Sequence, residues 1–215
     1  MFLCGFFRRA GPLALAGILV FLLGGCTYVL KETFTRGLQD RTGDEQLEDA
    51  GIDVVFSEKI NKINADPIYD VFIDVWKGRV MLTGVVDDPG LIPTLSRLSD
   101  EDVHARAVYN ENQVVPLWEK RVLENTLSPL QKLKDLFIEL NVKTKLFSDE
   151  NVKSVNYHLR SVLNRVYVIG RSESAAERRL VIRHIRETQG VKSMKEFIET
   201  APPARANQAA GLTRN

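Results

Sequence analysis

Two six-residue stretches decide the fold: Arg79-Val-Met-Leu-Thr-Gly84 and Arg165-Val-Tyr-Val-Ile-Gly170. They lie 86 positions apart, and the same offset aligns the chain on both sides of them without a gap. Upstream, Asp49, Ile52, Phe56 and Ile60 fall on Asp135, Ile138, Val142 and Leu146. Downstream, Ala105 and Val108 fall on Val191 and Met194. Similarity kept in one register over about sixty positions marks a tandem duplication of one small unit.

Each copy reads the same way. Ile52, Phe56 and Ile60, like Ile138, Val142 and Leu146, recur every four residues on one helical face. Alternation follows, with Val71, Ile73 and Val75 in the first copy and Tyr157 and Leu159 in the second, where Ser161 breaks the pattern. Lys77-Gly78 and Leu163-Asn164 reverse the chain into a second strand, carrying Val80 and Leu82 or Val166 and Val168 on one face. A second helix is expected after Ser174, which stands three residues before Glu177 as a capping box, with Gly190 as its stop. In the first copy Pro89, Gly90 and Pro93 crowd that place, so the helix there should be short. Closing strands are expected around Ala107–Asn110 and Ser193–Ile198. The fold class is therefore α+β: two tandem αββαβ units, each a three-stranded sheet with two helices on one face.

The flanks carry other signals. Arg8 and Arg9 precede Gly11–Gly25, which has no charge, and the segment ends in Leu23-Gly24-Gly25-Cys26. A basic flank, a short apolar core and small residues form the pattern of a secretory signal peptide. The last four residues resemble a lipobox, which implies lipidation of Cys26, and Thr27 after it favours export to the outer membrane. The other reading is an uncleaved anchor helix over Pro12–Leu30. The expected organisation is a signal peptide at 1–25, a tether at 26–43, repeats at 44–113 and 132–200, a linker at 114–131 and a disordered tail at 201–215. With the signal removed, Cys26 is the one remaining cysteine, so packing alone must hold the exported part.

A strand ending in V-x-L-x-G and a later Gly-Val before the last strand resemble the BON domain. The second copy carries this pattern in Val166, Val168, Gly170, Gly190 and Val191, and the first keeps Gly78, Val80, Leu82 and Gly84. His104-Ala105 stands where the family usually has Gly-Val. A lipobox followed by two such units resembles the dual-BON lipoproteins of Gram-negative envelopes. The resemblance implies a non-enzymatic module, lipid-anchored in the outer membrane and facing the periplasm. It further implies that the second unit binds anionic phospholipid through its first helix and supports envelope integrity. Gly84 and Gly170 read as structural, ending strands where a Cβ would obstruct the turn or the packing helix.

The residues of that helix support the reading independently. On a wheel, Ile138, Val142 and Leu146 take one arc, while Leu133, Leu136, Phe137, Leu140 and Phe147 take the roughly opposite one. A surface helix needs one apolar stripe, and this one has two. The counterparts of the second stripe are Leu47, Ala50, Gly51, Val54 and Asn61, a weaker apolar face. Lys132, Lys134, Lys143 and Lys145 border the second stripe, as in a helix lying on an anionic bilayer. The expected lipid-binding residues are Leu133, Lys134, Leu136, Phe137, Leu140, Lys143 and Lys145. The alternative is an adaptor with an envelope protein partner, met through this stripe or Trp118, although Trp118 is expected to pack between the repeats.

Other classes find little support. A net charge of +1 argues against nucleic-acid binding. His104, His158 and His184 are isolated, so neither a metal site nor a cofactor is expected. There is no G-x-S-x-G or phosphate-binding G-x-x-x-x-G-K-[ST], and no catalytic residues are assigned.

Overall fold

The structure, a computed structural model, describes residues 39–63, 71–100, 105–116, 118–119 and 128–202. The signal peptide, Cys26, His104, half of the linker and the tail beyond residue 202 lie outside the described residues.

The first repeat runs α1 (Gly43–Ile63), β1 (Val71–Trp76), β2 (Arg79–Val86), α2 (Leu91–Ser96) and β3 (Ala107–Val114). The second runs α3 (Ser128–Ser148), β4 (Tyr157–Val162), β5 (Arg165–Ser172), α4 (Ala175–Arg186) and β6 (Ser193–Thr200). The protein is thus α+β, with two three-stranded sheets and four α-helices among the described residues. In each sheet the middle strand pairs antiparallel with the first and parallel with the third. The pairings correspond residue for residue: Val71 faces Gly84 as Tyr157 faces Gly170, and Arg79 faces Ala107 as Arg165 faces Ser193.

One repeated aspartate explains how both hairpins close. Lys77 and Gly78 have φ of 48° and 73°, and Leu163 and Asn164 have 52° and 67°. Positive φ at both central residues matches the twist of the strands but is unfavourable for lysine and leucine. The Asp49 carboxylate accepts from both turn amides of the first hairpin, at 2.8 Å from Lys77 and 2.7 Å from Gly78. Asp135 does the same for Leu163 (3.0 Å) and Asn164 (2.8 Å). Asp135 also accepts from the Ser161 hydroxyl at 2.6 Å, which is why a serine interrupts the apolar alternation there.

Several expectations are corrected. Gly84 and Gly170 lie inside β2 and β5, not at strand ends. The obstacle at Gly170 is backbone: a Cβ would stand 2.1 Å from the Asn156 carbonyl oxygen. Gly190 does not stop α4, which ends at Arg186 with Glu187 as its cap. It turns the chain into β6 with φ of 92°, and a Cβ there would meet Ile138 at 3.2 Å. Ser174 caps the Glu177 amide as expected, but the Glu177 carboxylate takes the amides of Glu173 (2.6 Å) and Lys153 (2.9 Å). Helix α3 starts four residues before the expected boundary, with Pro129 in the first turn, where its missing N–H costs nothing.

Three apolar clusters hold these parts together. Ile52, Phe56 and Ile60 of α1 pack on Val75, Val80 and Leu82. Ile138, Val142 and Leu146 of α3 pack with Val181 and Ile185 of α4 on Leu159, Val166 and Val168. The opposite faces of the two sheets meet in a third cluster of Trp76, Met81, Val162, Tyr167 and Ile169. The layers are helices, sheet, sheet, helices. All three clusters fall between residues 52 and 198, so fragment 40–215 contains every core cluster seen among the described residues.

The seam behaves like a dimer interface inside one chain. Asp74 and Arg160, equivalent positions 86 apart, join in a two-point ion pair at 3.1 and 3.2 Å. Tyr109 stacks on Phe197 at 4.1 Å and Glu111 pairs with Lys195, the reciprocal pattern expected of two-fold related surfaces. The end of the expected tether is bound here too. Asp40 exchanges hydrogen bonds with Asn156 and pairs with Lys153. Arg41 pairs with Asp49 at 2.6 Å and covers the Trp76 ring at 4.3 Å.

His158 packs edge-on against Trp76 at this seam, with ring centroids 5.4 Å apart. Burial holds its pKa below the usual imidazole value, helped by Arg41 and Arg160 and opposed by Asp74 and Asp49. The unfolded chain therefore binds the proton more readily, so stability falls as pH drops below about 6.5 toward the folded-state pKa. Thermal melts between pH 7 and 5 should show this loss, and His158→Phe should reduce it.

Candidate functional site

The α3 helix is the best candidate because its sequence satisfies the core and leaves a second apolar face over. Ile138, Val142 and Leu146 are 3%, 0% and 1% exposed. On the other side, Leu133 and Leu136 are 47% and 49% exposed, Phe137 61%, Leu140 49% and Phe147 81%. Leu130, assigned to the linker from sequence, extends the ridge by a turn at 57%. The neighbouring repeat does not cover this ridge, because the repeats meet through the opposite faces of their sheets. On α1 the corresponding face shows only Leu47 and Val54 as large apolar groups, beside exposed Ala50, Gly51 and Asn61.

The lysines divide into two kinds. Lys134 and Lys143 are exposed beside the ridge, and Lys143 has only a loose contact with Glu139 at 3.8 Å. Lys145 is drawn away: it donates to the Glu187 carbonyl at 2.9 Å, where a cation complements the C-terminal end of α4. Next to it, Asp149 bonds His184 at 2.7 Å, and that bond holds the Asp149 carboxyl below its usual range. These contacts tie the last turn of α3 to that of α4. Trp118, expected between the repeats, is instead 70% exposed. Among the described residues no helix is long and apolar enough to cross a membrane. The geometry therefore defines a tandem α+β repeat whose second copy presents an amphipathic outer helix able to lie against an apolar surface.

Comparison with known proteins gives one family match. A BON domain is found at residues 135–202, covering α3 from Asp135 through β6. The first repeat, with the same element order and strand register, is compatible with a second BON-like unit. The chain is 27% identical over 128 residues to an uncharacterized protein in the gshII 5′ region of Anaplasma centrale, covering 60% of this chain and 80% of that one. Among solved structures it is similar to CdsD, a structural protein of the type III secretion system of Chlamydia trachomatis. That match has 12% identity and a TM-score of 0.29, and covers 73% of this chain and 92% of the other. A C-terminal-domain structure of CdsD matches at 13% identity and a TM-score of 0.26, covering 69% and 66%.

Proposed function

We propose that this protein is a lipid-anchored component of the outer membrane, facing the periplasm, that binds anionic phospholipid through α3 and supports envelope integrity. The BON domain supports a membrane- or phospholipid-associated envelope role. The observation that carries the finer reading is the uncovered ridge from Leu130 to Phe147, present in the second repeat and much weaker in the first. Inserting Leu136, Phe137 and Leu140 contributes up to about 1.5–3 kcal/mol apiece at full burial, and less at an interface. Each nearby lysine adds about 1 kcal/mol on an anionic surface. A diacyl group on Cys26 would hold the protein at the membrane, so modest contact by α3 would suffice to set its orientation.

Phe137→Glu tests this directly, since the side chain is 61% exposed and its loss leaves the core intact. Fragment 40–215 carrying the substitution should sediment with phosphatidylglycerol vesicles at least about tenfold more weakly than the parent. Equal binding by a variant with an unchanged melting curve would rule the ridge out. The exposed Trp118 favours a second reading, an adaptor that meets a protein partner. That reading gains if fragment 40–215 ignores vesicles altogether.

A further inference from the structure

A second surface feature distinguishes the two repeats, and it belongs to α4. Arg179, Arg183 and Arg186 are all exposed, and their spacing places them within an arc of about 60°. That arc points away from Val181 and Ile185, which are buried, and therefore faces out of the helical layer as the α3 ridge does. None of the three guanidinium groups has a hydrogen-bond or ion-pair partner among the described residues. Their neighbour Arg178, by contrast, is committed to Glu196 through two bonds at 2.6 and 3.1 Å. The nearby acids are also occupied, with Glu177 buried against backbone amides and Asp149 on His184. Glu187, exposed at the helix end, is the acid left beside the stripe.

The duplication shows that the fold does not require this stripe. The equivalent positions in the first repeat are Pro93, Arg97 and Asp100, which sum to no net charge. The α3 ridge is likewise weak in the first repeat. Two features dispensable to the shared fold have thus been placed on one helical layer of one repeat. Their helices are joined through Lys145–Glu187 and Asp149–His184. An apolar ridge beside unneutralised guanidinium groups complements a surface that is apolar at one depth and anionic at the next. A bilayer bearing phosphodiester headgroups has that layering, and arginine suits phosphate because its planar fork donates two parallel hydrogen bonds.

We propose that Arg179, Arg183 and Arg186 bind the phosphates of anionic phospholipid at the bilayer on which the α3 ridge rests. This deepens the proposed lipid binding and rests on it. The stripe supplies selection for anionic headgroups, while the ridge supplies insertion.

The test uses fragment 40–215, sedimented with vesicles of phosphatidylcholine alone or mixed with phosphatidylglycerol. One protein is the parent, one carries Arg179→Gln, Arg183→Gln and Arg186→Gln, and one carries Phe137→Glu. All three arginines are exposed, so the triple variant should melt with the parent. Its affinity for mixed vesicles should fall at least tenfold, up to roughly a hundredfold, and its binding should become less sensitive to salt. Replacing the same arginines by lysine should restore part of the affinity, and free inorganic phosphate at millimolar concentration should not displace the parent. If the glutamine variant binds mixed vesicles as tightly as the parent, or phosphate displaces the parent, the stripe proposal is overturned and the ridge reading stands. If the parent itself ignores both vesicle types, the underlying reading fails and the stripe proposal with it.

Discussion

Asp49→Ala is expected to destabilise the protein by about 3–5 kcal/mol, the range for breaking a buried ion pair by removing one partner. The carboxylate is 4% exposed and has three commitments. It accepts from Lys77 and Gly78, whose left-handed conformations close the first hairpin, and it pairs with Arg41. Alanine leaves two turn amides without the Asp49 acceptor and removes the Asp49 ion pair from the guanidinium over Trp76. Because Arg41 lies at the seam, the damage should spread beyond the first hairpin. Asp49→Asn should fall between alanine and the parent, since its oxygen still accepts. Chemical denaturation of fragment 40–215 measures both. A loss below about 1 kcal/mol for alanine would mean that the turn does not depend on the clamp.

The second large effect is expected at Gly170. A Cβ there would stand 2.1 Å from the Asn156 carbonyl oxygen and 3.0 Å from the Tyr157 ring. Overpacking usually costs about 1–3 kcal/mol, and here the obstacle is backbone that cannot swing aside. The Asn156 side chain is also the one that holds Asp40, so moving this turn disturbs that contact as well. Gly170→Ala should therefore cost roughly 3 kcal/mol or more, lowering the melting temperature by about 6–12 °C. Gly51→Ala is the control: nothing lies within 4 Å of its Cβ, it sits in helix, and alanine should be neutral or stabilising.

Much of this architecture is legible in the sequence because the duplication repeats each signal. The 86-residue offset relates the strand pairings of the two sheets, and Asp49 and Asp135 align because both clamp a hairpin. The seam was harder to read. Val80 and Leu82, or Val166 and Val168, mark the helix-facing side of each middle strand, while Met81, Tyr167 and Ile169 stand at the alternate positions. The signal was present, since a continuous apolar run marks a strand covered on both faces. Recognising it would have shown that the sheets pack together and leave the outer helical faces free. The box Thr42–Glu45, with bonds of 2.8 and 3.2 Å, could also have been found by spacing alone. The parallel third strand carried a signal too, because a helix between it and the middle strand is the kind of crossover that parallel pairing needs.

The α3 ridge was readable as a second stripe, but its freedom was not, because exposure depends on which surfaces the repeats use against one another. Lys145 shows the same limit. Its place on the wheel borders the ridge, yet the end of a neighbouring helix takes its ammonium.

The central claim is that the second repeat, and not the first, lays its outer helix on an anionic bilayer. Fragment 40–215 contains no cysteine, so a single spin label can be placed by Leu140→Cys or at its repeat equivalent by Val54→Cys. Both parent side chains are exposed, at 49% and 66%. On phosphatidylglycerol vesicles, the label at 140 should gain oxygen accessibility and lose contact with a water-soluble relaxant, while the label at 54 stays aqueous. Labels that remain equally aqueous at both positions would contradict the account.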